Sequence, residues 1–138
     1  MSSVDEFLQS LNPHQQEAVK HQAGPAVVLA GAGSGKTRVL TTHAAWLIQN
    51  QNVQPDQILL VTFTNKAAGE MNQRIQHLTN TSLPFSGTFH SFCARLLRIE
   101  GTAIGLNQRY LIFDSNDQLT LMKQIFKDRR IDPQRYKP

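Results

Sequence analysis

The sequence is 138 residues long, 40% hydrophobic and 17% charged, which is enough chain and enough apolar content for one ordinary domain with a genuine core. That composition excludes the disordered, collagen-like and disulfide-scaffold classes, and a single cysteine, Cys93, can form neither an internal bridge nor a zinc site by itself. Fourteen Lys and Arg against ten Asp and Glu leave a net charge of +4, a balance that suits a polyanionic partner such as nucleic acid or nucleotide but is shared by many proteins that bind neither.

Apolar runs such as Ile58 to Val61 are far too short to cross a bilayer, and the opening MSSVDEF has neither the basic nor the apolar stretch of a signal peptide. A cytoplasmic chain without membrane contact is expected. Asn12-Pro13 reads as an N-cap and a proline at the first helical position, opening a helix to about Gln22 that Gly24-Pro25 ends. Ala26 to Ala30 (AVVLA) is a continuous apolar run of strand length, predicting a buried strand. From about Gly35 to Asn50 the pattern is helical, with Leu40, Ala44, Leu47 and Ile48 on one face. A second apolar run spans Ile58 to Phe63, and Asn65 is placed to cap a helix whose buried stripe is Ala68, Met71, Ile75 and Leu78, with Glu70, Arg74 and Gln76 outward.

Phe85 to Thr88 is short for a strand but precedes a helical pattern through Phe92, Leu96 and Ile99. Tyr110 to Phe113 is a last extended piece. Asp114, Ser115 and Asp117 form the start of a helix with Leu119, Met122, Ile125 and Phe126 inward. Alternating apolar strands and amphipathic helices predict an α/β fold with a parallel sheet. From Lys127 to Pro138 the chain is basic and has little to bury.

The most specific feature is AGAGSGKT, Ala30 to Thr37, which fits the phosphate-binding loop pattern except that Ala30 stands at the usual first glycine. Such a loop turns successive backbone N–H groups inward on an anion, and Gly31, Gly33 and Gly35 permit the backbone angles and close approach this needs. The helix that follows adds its positive end. Lys36 would reach the β- and γ-phosphates, and the Thr37 hydroxyl would ligate Mg²⁺ between them. The nucleotide-contacting set is therefore Ala30, Gly31, Ala32, Gly33, Ser34, Gly35, Lys36 and Thr37, with Lys36 and Thr37 in the catalytic role.

TFTNKAA, Thr62 to Ala68, sits at the C-terminal end of the second predicted strand, where open α/β sheets bind ligands. An aromatic beside hydroxyls, an amide and a lysine could serve single-stranded nucleic acid, although residue types alone favour a core phenylalanine and a helix cap. GTFHSF, Gly87 to Phe92, sets His90 between aromatics without an acid or nucleophile partner, so a catalytic histidine is not indicated. Asp114 ends an apolar run as a metal-binding aspartate might, yet no second acid follows it and a cap is the better reading. Cys93 and Trp46 are read as packing residues, and Lys127, Arg129, Arg130, Arg135 and Lys137 as a solvated basic run.

Taken together, LNPHQQEAV, AGAGSGKTRVL, ILLVTFTNKAAGEM and GTFHSFCARLLR, in this order and spacing, resemble the N-terminal part of the UvrD/PcrA/Rep group of superfamily 1 DNA helicases. The resemblance runs from about Leu11 to the end of the chain. It implies a P-loop NTPase, RecA-like parallel sheet flanked by helices, incomplete here. Residues 1–108 would be the N-terminal part of the first RecA-like domain and residues 109–138 the truncated start of an inserted helical subdomain. It further implies that Gln15 reads the adenine edge, that Arg38 packs on or near the base, and that ATP with Mg²⁺ is the cofactor. Phe63, Thr64, Asn65 and Lys66, and Gly87, Thr88, Phe89 and His90, would contact single-stranded DNA. The implied activity is ATP-driven 3′ to 5′ translocation along that strand.

The same resemblance implies that the family's Asp-Glu motif, γ-phosphate sensor, arginine fingers and second RecA-like domain lie beyond Pro138, so that these residues alone are expected to be inactive and prone to self-association at an exposed sheet edge. The alternative is a nucleotide- or nucleic-acid-binding module without turnover. A small-molecule kinase is disfavoured, because neither an arginine-bearing lid nor an acceptor pocket is visible in these residues.

Overall fold

The structure is a computed structural model that describes residues 3–132 and 135–136; Lys137 of the basic run lies outside the described residues. The chain divides into two compact units, residues 1–96 and 97–138.

The first unit opens with α1 (Ser3–Gln9) and α2 (Pro13–Val19). α2 starts where the Asn-Pro pair predicts: Asn12 Oδ1 accepts from the Gln15 backbone N–H at 2.9 Å, and Gln15 Oε1 accepts from the Asn12 N–H at 3.0 Å, a reciprocal capping box. The helix ends at Val19, three residues short of the expected Gln22. α3 (Lys36–Asn50) follows the glycine-rich loop and carries the small residues Ala44 and Ala45 into two hydrophobic clusters. One gathers Val4, Leu8, Leu11, Val19, Ala45, Trp46 and Leu78; the other gathers Ala44, Ile58, Leu60, Met71, Ile75 and Leu83. Leu40, expected on the buried face of α3, is exposed, and Thr41 and Thr42 are buried instead. Their hydroxyls donate to carbonyls one turn back, at Thr37 and Arg38, so burial leaves no polar group unmet.

β1 (Leu59–Thr62) and β2 (Phe85–Thr88) form a two-stranded parallel sheet, bridged by α4 (Asn65–Thr79). The α4 stripe is the one its periodicity predicts: Ala68, Met71, Ile75 and Leu78 are all buried. Its cap is Thr64 rather than Asn65. The Thr64 backbone is extended and its Oγ1 accepts from the Ala67 N–H at 3.2 Å, which makes Asn65 the first helical residue. Since Ile75 is fully buried, Ile75→Ala is expected to cost about 2–5 kcal/mol of stability, read from urea denaturation. A loss under about 1 kcal/mol would show that this stripe is not the core.

Ala26 to Ala30 does not form the expected strand. The run carries no strand pairing, and Val27, Val28 and Leu29 are 85%, 56% and 92% exposed. Composition marks a segment as able to join a sheet; the ladder needs a neighbour, and β1 and β2 pair only with each other among the described residues. The fold is thus α/β with a small parallel sheet.

α5 (Phe89–Glu100) runs across the division between the units. Cys93, expected to be buried on it, is exposed. In the second unit a short 3₁₀ turn, Gly101–Ile104, precedes α6 (Ser115–Asp128). Tyr110 to Phe113 is not a strand. Asp114 caps α6 as predicted, accepting from the Asn116 and Asp117 N–H groups at 2.8 Å. Leu119, Met122 and Ile125 share a face but are exposed, and Phe126 is half-buried: period shows which side chains lie together, not whether anything covers them. Among the described residues no helix is long and apolar enough to cross a membrane.

Candidate nucleotide and nucleic-acid sites

The glycine-rich loop meets the start of α3 through two left-handed residues, Gly33 at φ 74° and Gly35 at φ 84°. A side chain at either would be strained. A Cβ at Gly35 would also stand 3.3 Å from Gln15 Nε2, so that amide would have to give by a few tenths of an ångström. The loop closes on itself where Ser34 Oγ donates to the Gly31 carbonyl at 2.7 Å. Lys36 Nζ donates to the carbonyls of Ala30 at 3.1 Å and Gly31 at 2.6 Å, which sets the ammonium at the loop.

Gln15 ties α2 to this loop: its Nε2 donates to the Ser34 carbonyl at 3.0 Å while Oε1 serves the capping box. A primary amide has two donors and two acceptor positions, so each end keeps one further position. Arg38, on the first turn of α3, has its guanidinium 4.7 Å from the centre of the Phe7 ring. Gly33, Gly35, Lys36, Thr37 and Arg38 line a cavity of about 660 Å³ together with Phe7, Glu70 and Arg74. Ala30, Gly31, Ala32 and Ser34 are exposed, and Ala30 and Ser34 line a separate cavity of about 260 Å³ with Gln15 and Lys36.

Phe7, Glu70 and Arg74 were not legible as cavity residues. Glu70 and Arg74 lie outside the buried stripe of α4, as the helical period requires, but that face borders the loop. The signal available for α1 was the apolar spacing Val4, Leu8, Leu11, which marks a helix without showing where it packs. Among the described residues no cluster of three or more His, Cys, Asp or Glu is arranged to hold a metal ion. Lys36 brings one ammonium to the loop and Thr37 one hydroxyl, groups whose chemistry would suit an anion and a single metal position.

The second region follows from register. Thr62 pairs with Thr88 at the ends of β1 and β2, so the next residues, Phe63 and Phe89, leave the sheet side by side. Their ring centres are 5.3 Å apart, tilted by 39°, and they are 84% and 44% exposed. Phe63 is therefore not the core residue that residue types alone suggested. Asn65, Lys66 and His90 are exposed beside them. Thr64 and Thr88 are occupied as helix caps; Thr88 Oγ1 accepts from the Ser91 N–H at 3.1 Å while Ser91 Oγ accepts from the Thr88 N–H at 3.0 Å. A Cβ at Gly87 would stand 2.7 Å from Ser91 Oγ, so this pairing depends on glycine.

Residues 11–138 match the UvrD/REP helicase N-terminal domain family. The chain is 51% identical over 132 residues to the probable DNA helicase II homolog of Mycoplasma capricolum, covering 94% of this chain and 18% of that protein. It is 46% identical over 136 residues to the ATP-dependent DNA helicase PcrA of Bacillus subtilis, covering 97% and 18%. With the probable DNA helicase II homolog of Rickettsia felis it shares 48% identity over 140 aligned positions, covering 100% and 21%. The chain spans about a fifth of the length of these curated relatives. The match takes in the glycine-rich loop, both strands and the segments that follow them, and on that extent the chain belongs to the UvrD/REP helicase N-terminal domain family.

Proposed function

We propose that the chain is the ATP-binding N-terminal part of a cytoplasmic, ATP-dependent DNA helicase that moves 3′ to 5′ along single-stranded DNA. In this reading residues 1–108 belong to its first RecA-like domain and residues 109–138 begin an inserted helical subdomain. The observation that carries it is the cavity where Gly33, Gly35, Lys36, Thr37 and Arg38 converge at the start of α3. The relatives named as DNA helicases support it.

Each residue then has a task. Gly33 and Gly35 hold the backbone so that N–H groups face a polyphosphate, and the N-terminus of α3 adds its positive end. Lys36 neutralises the β- and γ-phosphates, and Thr37 holds Mg²⁺ through its hydroxyl. Gln15 and Arg38 take the adenine, with the free positions of the Gln15 amide pairing to the base edge. ATP with Mg²⁺ supplies the phosphoanhydride whose cleavage drives movement. Phe63, Phe89 and His90, with Thr64, Asn65, Lys66 and Thr88 around them, receive the DNA strand. The unpaired apolar run Ala26–Ala30 favours self-association of the chain on its own.

The test is binding of a labelled single-stranded oligonucleotide, followed by anisotropy over a range of salt. Affinity is expected to be modest and to fall as salt rises. Phe63→Ala should weaken it further by about 1–3 kcal/mol, the contribution of one base stacked on an aromatic ring. Binding that ignores both salt and Phe63→Ala would assign the strand to another surface.

A further inference from the structure

Arg38 is held by residues that the phosphate-loop pattern does not include and that precede the family match, which begins at residue 11. The Phe7 ring lies against its guanidinium at 4.7 Å, and Arg38 Nη2 donates to Ser10 Oγ at 2.5 Å. Ser10 Oγ in turn donates to the Phe7 carbonyl, so its proton is committed and a lone pair faces Arg38. Arg38 Nε is buried without a hydrogen-bond partner, so these two contacts are what orient the head group. Phe7 packs on the core cluster formed by Val4, Leu8 and Leu11, which anchors the ring itself. Phe7 and Arg38 line the same cavity as Lys36 and Thr37.

We infer that Phe7 and Ser10 are positioning residues of the nucleotide site, fixing the plane of the Arg38 guanidinium so that it presents a stacking face to a purine base. The inference rests on the proposed role of Arg38 as the base-contacting residue. A guanidinium is planar: a ring over one face leaves the opposite face for a base, and the Ser10 hydrogen bond sets its rotation. A free arginine loses rotamer freedom when it stacks on a ligand; one ordered beforehand loses less, and the saving appears as affinity for the base. α1 therefore contributes to selectivity for a nucleoside triphosphate over a bare triphosphate chain.

The experiment titrates the 138-residue chain with ATP and with inorganic tripolyphosphate, both with Mg²⁺, by calorimetry. Phe7→Leu keeps the apolar packing and removes the aromatic face. It should weaken ATP binding about two- to fivefold, leave tripolyphosphate binding unchanged, and be rescued by Phe7→Tyr. Ser10→Ala, at an exposed position, should lower the ATP-to-tripolyphosphate ratio in the same direction and serves if Phe7→Leu does not fold. A packing defect alone would weaken both ligands together. If Arg38→Ala lowers the ratio while Phe7→Leu and Ser10→Ala leave it unchanged, the positioning role is overturned and the reading of Arg38 stands. If Arg38→Ala leaves the ratio unchanged, or the parent chain binds neither ligand, the functional reading fails and this inference falls with it.

Discussion

Lys36→Ala is expected to remove most of the affinity of the chain for a nucleoside triphosphate. The Lys36 ammonium is already brought to the loop by its bonds to the Ala30 and Gly31 carbonyls, so little rearrangement separates it from a polyphosphate seated on the same backbone. Hydrogen bonds to charged groups contribute roughly 1.5–3 kcal/mol each, and contact with two phosphates then amounts to about 3–6 kcal/mol, or about two to four orders of magnitude in affinity. The other cations at the cavity do not replace it: Arg38 is held by Phe7 and Ser10, and Arg74 stands on α4. The carbonyls released by the substitution are exposed and rehydrate, so the melting temperature should stay close to the parent's. Titration with a fluorescent ATP analogue reads the effect. A variant that binds within threefold of the parent would take the glycine-rich loop out of the nucleotide site.

Turnover by the 138-residue chain alone is expected to stay near background even where nucleotide binds. Phosphoryl transfer depends on positioning and on charge stabilisation, which requires a group to orient water and cations on the transferring phosphate. Asp114 accepts two backbone N–H groups as the cap of α6 and is spent on that. Among the described residues Glu70 is the one carboxylate lining the cavity, and a single carboxylate does not both hold a metal and orient the attacking water. An arginine finger supplied from another domain or chain contributes about 10³ to 10⁵ in rate, so a site that lacks one turns over correspondingly slowly. Steady-state phosphate release with and without single-stranded DNA decides the matter. Turnover at or above about one per second, stimulated by DNA, would place the full catalytic set within these residues.

Signals carried by residues three or four apart are legible in this sequence, and those between distant segments are not. The α4 stripe and the caps at Asn12 and Asp114 depend on residues three or four apart, and each was visible in the sequence. β2 looked too short to stand alone; pairing in register with β1 makes it a strand. The Ala26–Ala30 run failed for the complementary reason, having strand composition and no partner. Asn65 and Thr64 are both good caps, and only the backbone angle at Thr64 separates them. At the candidate site the loop was legible because its chemistry is contiguous. Phe7, Glu70 and Arg74 were not, because they come from α1 and α4, and nothing in their own neighbourhoods records that both helices border the loop.

The unpaired run before the loop has a mechanical consequence. On its C-terminal side the loop is braced by α3 and by Gln15; on its N-terminal side Lys36 Nζ holds the Ala30 and Gly31 carbonyls, and the backbone before them, Ala26 to Leu29, has no strand ladder among the described residues. A phosphate cradle works by holding several N–H groups in one orientation before the ligand arrives, and a cradle braced less firmly at one end must gain part of that order during binding. Amide exchange would show the asymmetry directly, as fast exchange through Ala26–Ala30 beside protected amides in α3, with nucleotide slowing the first set far more than the second. On the proposed reading, the affinity of this chain for nucleotide would measure two quantities together, the contacts made to the phosphates and the stiffness that the preceding segment does not supply.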